Sequence, residues 1–339
     1  MPSTRRSAGR LTSRDVARVA GVSQSTVSLV LGGKWTGRVS RATAETVHET
    51  AVRLGYRPNL AARNLRLGTT RTVMLIVPTL VAPFFGAVHI GAARVAARHG
   101  FGIVVYPWPD DAGPAGSPFA APHEAIDGIL ASSMAVDVLD AFRGTPVVML
   151  DSDPADAVPT VDFAVADGMR SVAAHVAELG HRRIGHLAAA VDQWTFRARG
   201  LALDAAVAAI PGAVLSRAAG AIDVAFAKEA AGQLLDAPDR PTVLICDDDL
   251  LAAGAYKAAR SRGLEIPADL SVTGFDDVLV ATALEPELTT VRLPAEELGA
   301  HGMAALLQLL DGERPESRSL PGELIVRAST GSAAKATGE

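Results

Sequence analysis

The chain has 339 residues, 49% of them hydrophobic, a formal net charge of −5 and a single cysteine, Cys246. That length and apolar content allow two or three domain cores, and one cysteine excludes an internal disulfide framework or a multi-cysteine metal site. Residues 1–71 hold 13 Lys or Arg against 3 Asp or Glu, and residues 72–339 hold the other 19 against 34, so a basic head suited to a polyanion precedes an acidic body. No apolar run follows the first arginines as a secretory signal requires. The most apolar stretch, 73–97, is broken for membrane purposes by Pro78, Pro83, His89 and Arg94. A soluble, cytoplasmic protein is expected.

Residues 11–31, LTSRDVARVAGVSQSTVSLVL, read as two short helices around a Gly-Val-Ser turn. Thr12 with Asp15 makes a capping box. Val16, Val19 and Ala20 then share a face, and Gly21 ends the helix. Ser23 caps the second helix, and Val27, Val30 and Leu31 face a small core. Gln24, Ser25, Ser28 and Leu29 are left outward, a set suited to base edges in a major groove. An ordinary helical hairpin is the alternative, and the charge of the head argues against it. A third helix is capped by Ser40, carries the stripe Ala44, Val47, Ala51 and Leu54, and stops at Gly55. Pro58 disfavours helix at Arg57, and Asn59 caps a short amphipathic turn before 68–70. The expected division is a head at 1–57, a linker at 58–70 and a core at 71–339.

From Arg71 onward, apolar runs alternate with Ala-rich helical segments. The runs are 73–77, 102–106, 128–132, 147–150, 183–188, 242–246 and 270–275. They are continuous, as in strands buried on both faces of a parallel sheet. Helices are expected at segments such as 87–99, 168–179, 199–209 and 250–262. The fold class is α/β, doubly wound, in two lobes with a cleft between them. The proline-rich segment 107–122 is the exception, a loop or truncated helix.

In open α/β sheets, ligands bind beyond the carboxyl ends of strands. Asp151, Asp248 and Asp276 stand there, with Phe84 and Phe85 after the first strand and Trp194 and Arg197 in the loop after 183–188. Aromatic plates with carboxylates and one arginine suit a sugar or polyol. Three acids against one arginine disfavour an anionic effector and leave a cationic small molecule as second choice. The alternative for each aspartate is a helix cap, and that is the expected role of Asp249 and Asp277. No GxGxxG, no Walker lysine loop and no nucleophile–base pair is present, and His181 and His186 lack the context of a metal site. No catalysis, cofactor or metal is expected. A cytosolic binding protein without a DNA role is a rival that the basic head opposes.

Taken in order, DVARVAGVSQSTVSLVL, RLGYRPNLAARNLR, VAPFFGAV, DGILASS, ELGHRRIGHLA, RARG, CDDDLLAAGAYKAARSRGLEIPADLSVTGFDD, ELTTVRLP and IVRAST resemble the LacI/GalR family of transcription regulators over nearly the whole chain. The resemblance implies a helix-turn-helix head, a hinge helix and a core like a periplasmic sugar-binding protein. It further implies a homodimer on a palindromic operator in double-stranded DNA. By motif, Gln24, Ser25 and Leu29 read bases, while Thr26 and Ser28 meet phosphates. Thr12, Ser23, Asn59, Ala62, Arg63, Leu65 and Arg66 complete the DNA-contacting set, with Leu65 the wedge between central base pairs. A hinge this short is expected to fold only on DNA or in the docked dimer. Asp151, Arg197, Asp248 and Asp276 match ligand positions.

Four departures stand out. Leu29 replaces a frequent Arg, so a thymine methyl replaces guanine as the favoured contact. Asp248 replaces the usual Asn. The loop 32–38, with Lys34, Trp35 and Arg38, is about two residues longer than in many relatives, and 107–122 is shortened. Dimerisation is expected on helices 87–99 and 252–262. The lack of an apolar heptad tail after IVRAST disfavours a coiled-coil tetramer. The expected activity is repression under the control of a bound sugar or polyol, with activation or corepressor dependence left open.

Overall fold

The computed structural model describes residues 11–56, 69–107, 126–133, 142–154 and 158–333. The proline-rich segment falls almost wholly outside the described residues, as do the hinge positions Asn59, Ala62, Arg63, Leu65 and Arg66. The chain separates into two compact units, one ending at Thr70 and the other beginning at Arg71.

In the first unit, α1 (Ser13–Ala20), α2 (Gln24–Leu31) and α3 (Arg41–Leu54) enclose Val16, Val27, Val30, Ala44, Val47 and Ala51. The Asp15 carboxylate accepts from the Thr12 amide at 3.0 Å and its hydroxyl at 2.7 Å. Ser23 and Ser40 cap α2 and α3 by accepting from the amides of Thr26 and Thr43. Val19, expected on the buried face, is exposed, and Ala17 takes its place. With eight residues, α1 has room for only a narrow stripe. The long loop after α2 folds onto Trp35, which packs against this core and accepts at its carbonyl from Arg38 and Val39.

The second unit contains two parallel sheets. The first has the order β11-β5-β4-β3-β1-β2, and its strands are β1 (Thr72–Val77), β2 (Gly102–Pro107), β3 (Gly128–Ser132), β4 (Val147–Leu150), β5 (Thr160–Phe163) and β11 (Arg318–Leu320). The second has the order β7-β6-β8-β9, from β6 (Arg183–Ala189), β7 (Val214–Gly220), β8 (Val243–Cys246) and β9 (Ser271–Thr273). An antiparallel pair, β10 (Thr290–Arg292) with β12 (Glu323–Ile325), stands apart from both. Each sheet, with its helices, makes one lobe. The helices are α4 (Pro83–Arg98), α5 (Val165–Glu178), α6 (Trp194–Ala208), α7 (Val224–Leu235), α8 (Asp249–Arg260), α9 (Leu279–Ala283) and α10 (Ala295–Leu310).

Strands β3 and β8 are buried throughout and β1 from Val73 on, as continuous apolar runs predict. Strand β2 is not, because it is a sheet edge and alternate residues stay exposed. The first lobe is completed from the far end of the chain. Helix α10 packs on α4 so closely that a Cβ at Gly91 would lie 1.8 Å from the Glu296 carbonyl oxygen, and one at Gly299 would lie 1.9 Å from that of Val88. Glycine at both points lets the two backbones touch.

Candidate functional site

The ends of β4, β8 and β9 deliver three carboxylates. Asp151 directly follows β4, with φ 51°. Asp248 caps α8, its Oδ1 accepting from the Leu250 amide at 2.6 Å. Asp276 lies just past β9, with φ 106°. A non-glycine residue at such a φ is strained, and strain of this kind gathers at binding sites.

The guanidinium among them belongs to Arg199, on the second turn of α6. Its side chain is 3% exposed and lies 3.6 Å from Asp276 Oδ1. It donates to the Asp247 carbonyl and to Thr195 Oγ1, and its charge faces the Phe275 ring at 4.0 Å and the Phe196 ring at 5.1 Å. Arg197, the expected ligand position, lies on the solvent side of the same helix and pairs with Asp192 at 2.6 Å. Trp194 opens α6 and packs on the large core.

Burial dominates the electrostatics. It pushes the Asp151 carboxyl up to about 7 against the pull of Arg199 and of a hydrogen bond from Thr195. It also raises Asp248 and, further, Asp276. Asp151 Oδ1, Asp276 Oδ1 and Arg199 Nε are buried without a hydrogen-bond partner.

The neighbouring acids behave differently. Asp249 and Asp277, expected as helix caps, are not caps. Asp249 is the fully buried first residue of α8 and accepts from Thr290 Oγ1 at 2.6 Å and the Val278 amide at 2.8 Å, tying the segment after β9 to α8 and β10. Asp277 pairs with Arg327 at 2.7 Å and Arg292 at 2.8 Å.

Phe84 and Phe85, on the first turn of α4, meet edge to face with centroids 5.2 Å apart. Both line a small void with Ser132 and Asp151. Phe84 also lines a cavity of about 420 Å³ with Asp276, Leu279, Arg292 and Pro294. Phe84 therefore borders both the void beside Asp151 and the cavity beside Asp276. Sequence reasoning passed over Arg199, Thr195 and Phe275, although the motif RARG offers two arginines.

In the head, Ser25 and Ser28 are exposed and Leu29 is half-buried on α2. Gln24 is engaged locally, its Nε2 donating to Ser13 Oγ at 2.9 Å and its Oε1 accepting from Arg14 at 3.3 Å. Ser23, Ser25 and Thr26 share hydroxyl hydrogen bonds of 2.7–2.8 Å.

Residues 12–59 match the pattern of bacterial regulatory proteins of the lacI family, and residues 173–330 match a periplasmic binding protein-like domain. The HTH-type transcriptional repressor PurR of Haemophilus influenzae (strain PittEE) is 30% identical over 334 residues, covering 94% of this chain and 98% of its own length. The lac repressor dimer bound to operator and the anti-inducer ONPF superposes with a TM-score of 0.83 at 26% identity, over 95% of this chain and 99% of that one. The complex of the transcriptional regulator CelR with cellobiose gives 0.68 at 29% identity, over 94% and 100%. A helix-turn-helix head followed by a two-lobed periplasmic-binding-type core defines a DNA-binding regulator of transcription. The chain belongs to the LacI family.

Among the described residues, no helix is long and apolar enough to cross a membrane.

Proposed function

We propose that the protein is a cytoplasmic, non-catalytic repressor that binds a palindromic operator as a homodimer and is controlled by a sugar or polyol held between its lobes. The head spans 1–57, the hinge 58–70 and the core 71–339. Gln24, Ser25 and Leu29 read bases, Thr26 and Ser28 meet phosphates, and Leu65 wedges the operator centre between Arg63 and Arg66. Effector closing the cleft shifts one lobe against the other, separates the hinge segments and weakens the hold on DNA.

The observation that carries this reading is Arg199. It is buried on the second lobe, and its charge acts on Asp151 of the first lobe and on Asp248 and Asp276 of the second. A ligand that satisfies these groups therefore bears on the spacing of the lobes. Phe84 adds an apolar face for a sugar ring.

The dimer surface needs revision from the sequence expectation. Ala252, Ala255, Ala258 and Ala259 of α8 are fully buried within the core. The outward residues of α4, with Ile90 51% exposed, are the better candidate. The experiment is an operator titration in the presence of candidate sugars. An active sugar is expected to shift operator affinity by about tenfold or more in the parent and not in Arg199→Lys, because lysine keeps the charge and loses the planar fork. A full response in Arg199→Lys contradicts the reading.

A further inference from the structure

The buried acids of this core differ in their partners, and Asp162 of β5 also keeps one oxygen without a donor. Asp277 is paired with Arg327 and Arg292, Asp247 accepts from His186 at 2.8 Å and the Ala189 amide at 3.0 Å, and Asp249 is held by neutral donors, Thr290 and the Val278 amide. The three at the cleft share one guanidinium. Arg199 approaches Asp276 only to 3.6 Å, and its two described hydrogen bonds go to a backbone carbonyl and a threonine hydroxyl. Two carboxyls are thus left without a cation, and burial without one favours their protonated form.

The vacant hydrogen-bonding capacity has the same bias. Two carboxylate oxygens, Asp151 Oδ1 and Asp276 Oδ1, lack donors, and one donor, Arg199 Nε, lacks an acceptor. The Asp248 carboxyl beside Asp276 adds to the burial that raises Asp276. Hydroxyls alone satisfy the oxygens and bring no cation to the three carboxyls. A protonated amine brings up to three donors and a positive charge.

We infer that the effector is a polyhydroxylated compound bearing a protonated amine, of the amino-sugar class, with its nitrogen held among Asp151, Asp248 and Asp276. Its hydroxyls supply the acceptor that Arg199 Nε lacks, and its ring lies toward Phe84. The inference rests on the cleft being the effector site. Burial raises these carboxyls, so an ammonium, which favours their charged forms, expels protons on binding and a neutral sugar does not.

The test exposes the purified full-length protein to an equal-millimolar mixture of glucose, galactose, ribose, glucosamine, galactosamine, putrescine and glucose 6-phosphate. Retained compounds are read by mass spectrometry after rapid gel filtration. An amino sugar retained about tenfold over its parent hexose, with proton release seen by calorimetry in buffers of different ionisation enthalpy, is the expected result. Retention of a neutral sugar or the phosphate in its place overturns the amine assignment and leaves the effector site standing. Retention of nothing overturns both. Asp248→Asn keeps the helix cap and is expected to reduce the preference for the amine over the parent hexose by about tenfold. An unchanged preference removes the nitrogen from this carboxylate.

Discussion

Arg197 and Arg199 differ by two positions on α6 and by almost everything else. On a helix two residues are roughly 200° apart, so when one points inward the other points to water. The sequence offered both in RARG. Starting the helix at 199 placed Arg197 in a ligand-facing loop, whereas the structure starts it at Trp194 and turns Arg199 inward. The carboxylates were easier to read, because an aspartate just past an apolar strand is placed by the strand itself. Removing Arg197 breaks only an exposed pair, so Arg197→Ala is expected to change stability by less than about 1 kcal/mol. Arg199→Leu strands buried carboxylates and is expected to cost about 3–5 kcal/mol, read as the change in the urea midpoint. Equal effects would contradict the site. The pH response follows from the same groups. Asp151 and Asp249 are both held at about 7 by burial, so the folded state keeps protons that the unfolded chain releases in the ordinary carboxylate range. Their stabilisation is complete at the acid end and is lost as pH rises towards about 7. The melting temperature of effector-free protein should therefore fall from about pH 5 to about pH 7, and Asp151→Asn should flatten the fall. A rise over that range would contradict the assignment.

At the scale of elements, the first lobe depends on a helix from the far end of the chain. Helix α10 closes over β3, β4 and α4, and the contact is made where Gly91 and Gly299 let backbone meet backbone. Gly299→Ala forces its methyl into the Val88 carbonyl. It is expected to destabilise by about 3 kcal/mol or more, beyond the gain in helix propensity of about 1 kcal/mol. A variant as stable as the parent, measured by denaturant unfolding, would show that α10 can slide. Most central strands were legible because double burial leaves a continuous apolar run. The edge strand β7, VLSRAAG, was not, because half-buried Ser216 and exposed Arg217 break the run. Strands β10, β11 and β12 are three residues each, too short for any periodicity to show. The capping signals of the head were legible because each cap is local. The engagement of Gln24 by Ser13 and Arg14 was not, since it depends on how α1 and α2 pack.

For the whole molecule, the division of charge organises function. The charge division assigns polyanion binding to the head, so DNA affinity should fall steeply with salt. Repression also needs selectivity, and here the proposal assigns separate roles to head and hinge. Leu65→Ala is expected to weaken operator binding by about tenfold or more and to leave binding to unrelated DNA unchanged, because the wedge acts only where a bent site is formed. The measurement that tests the account most directly is selection of bound fragments from the source organism's genomic DNA by the purified full-length protein at moderate salt. The account predicts recovery of a few palindromic sites whose half-sites carry thymines opposite Leu29. Recovery of unrelated fragments, bound equally and lost together as salt rises, would contradict it.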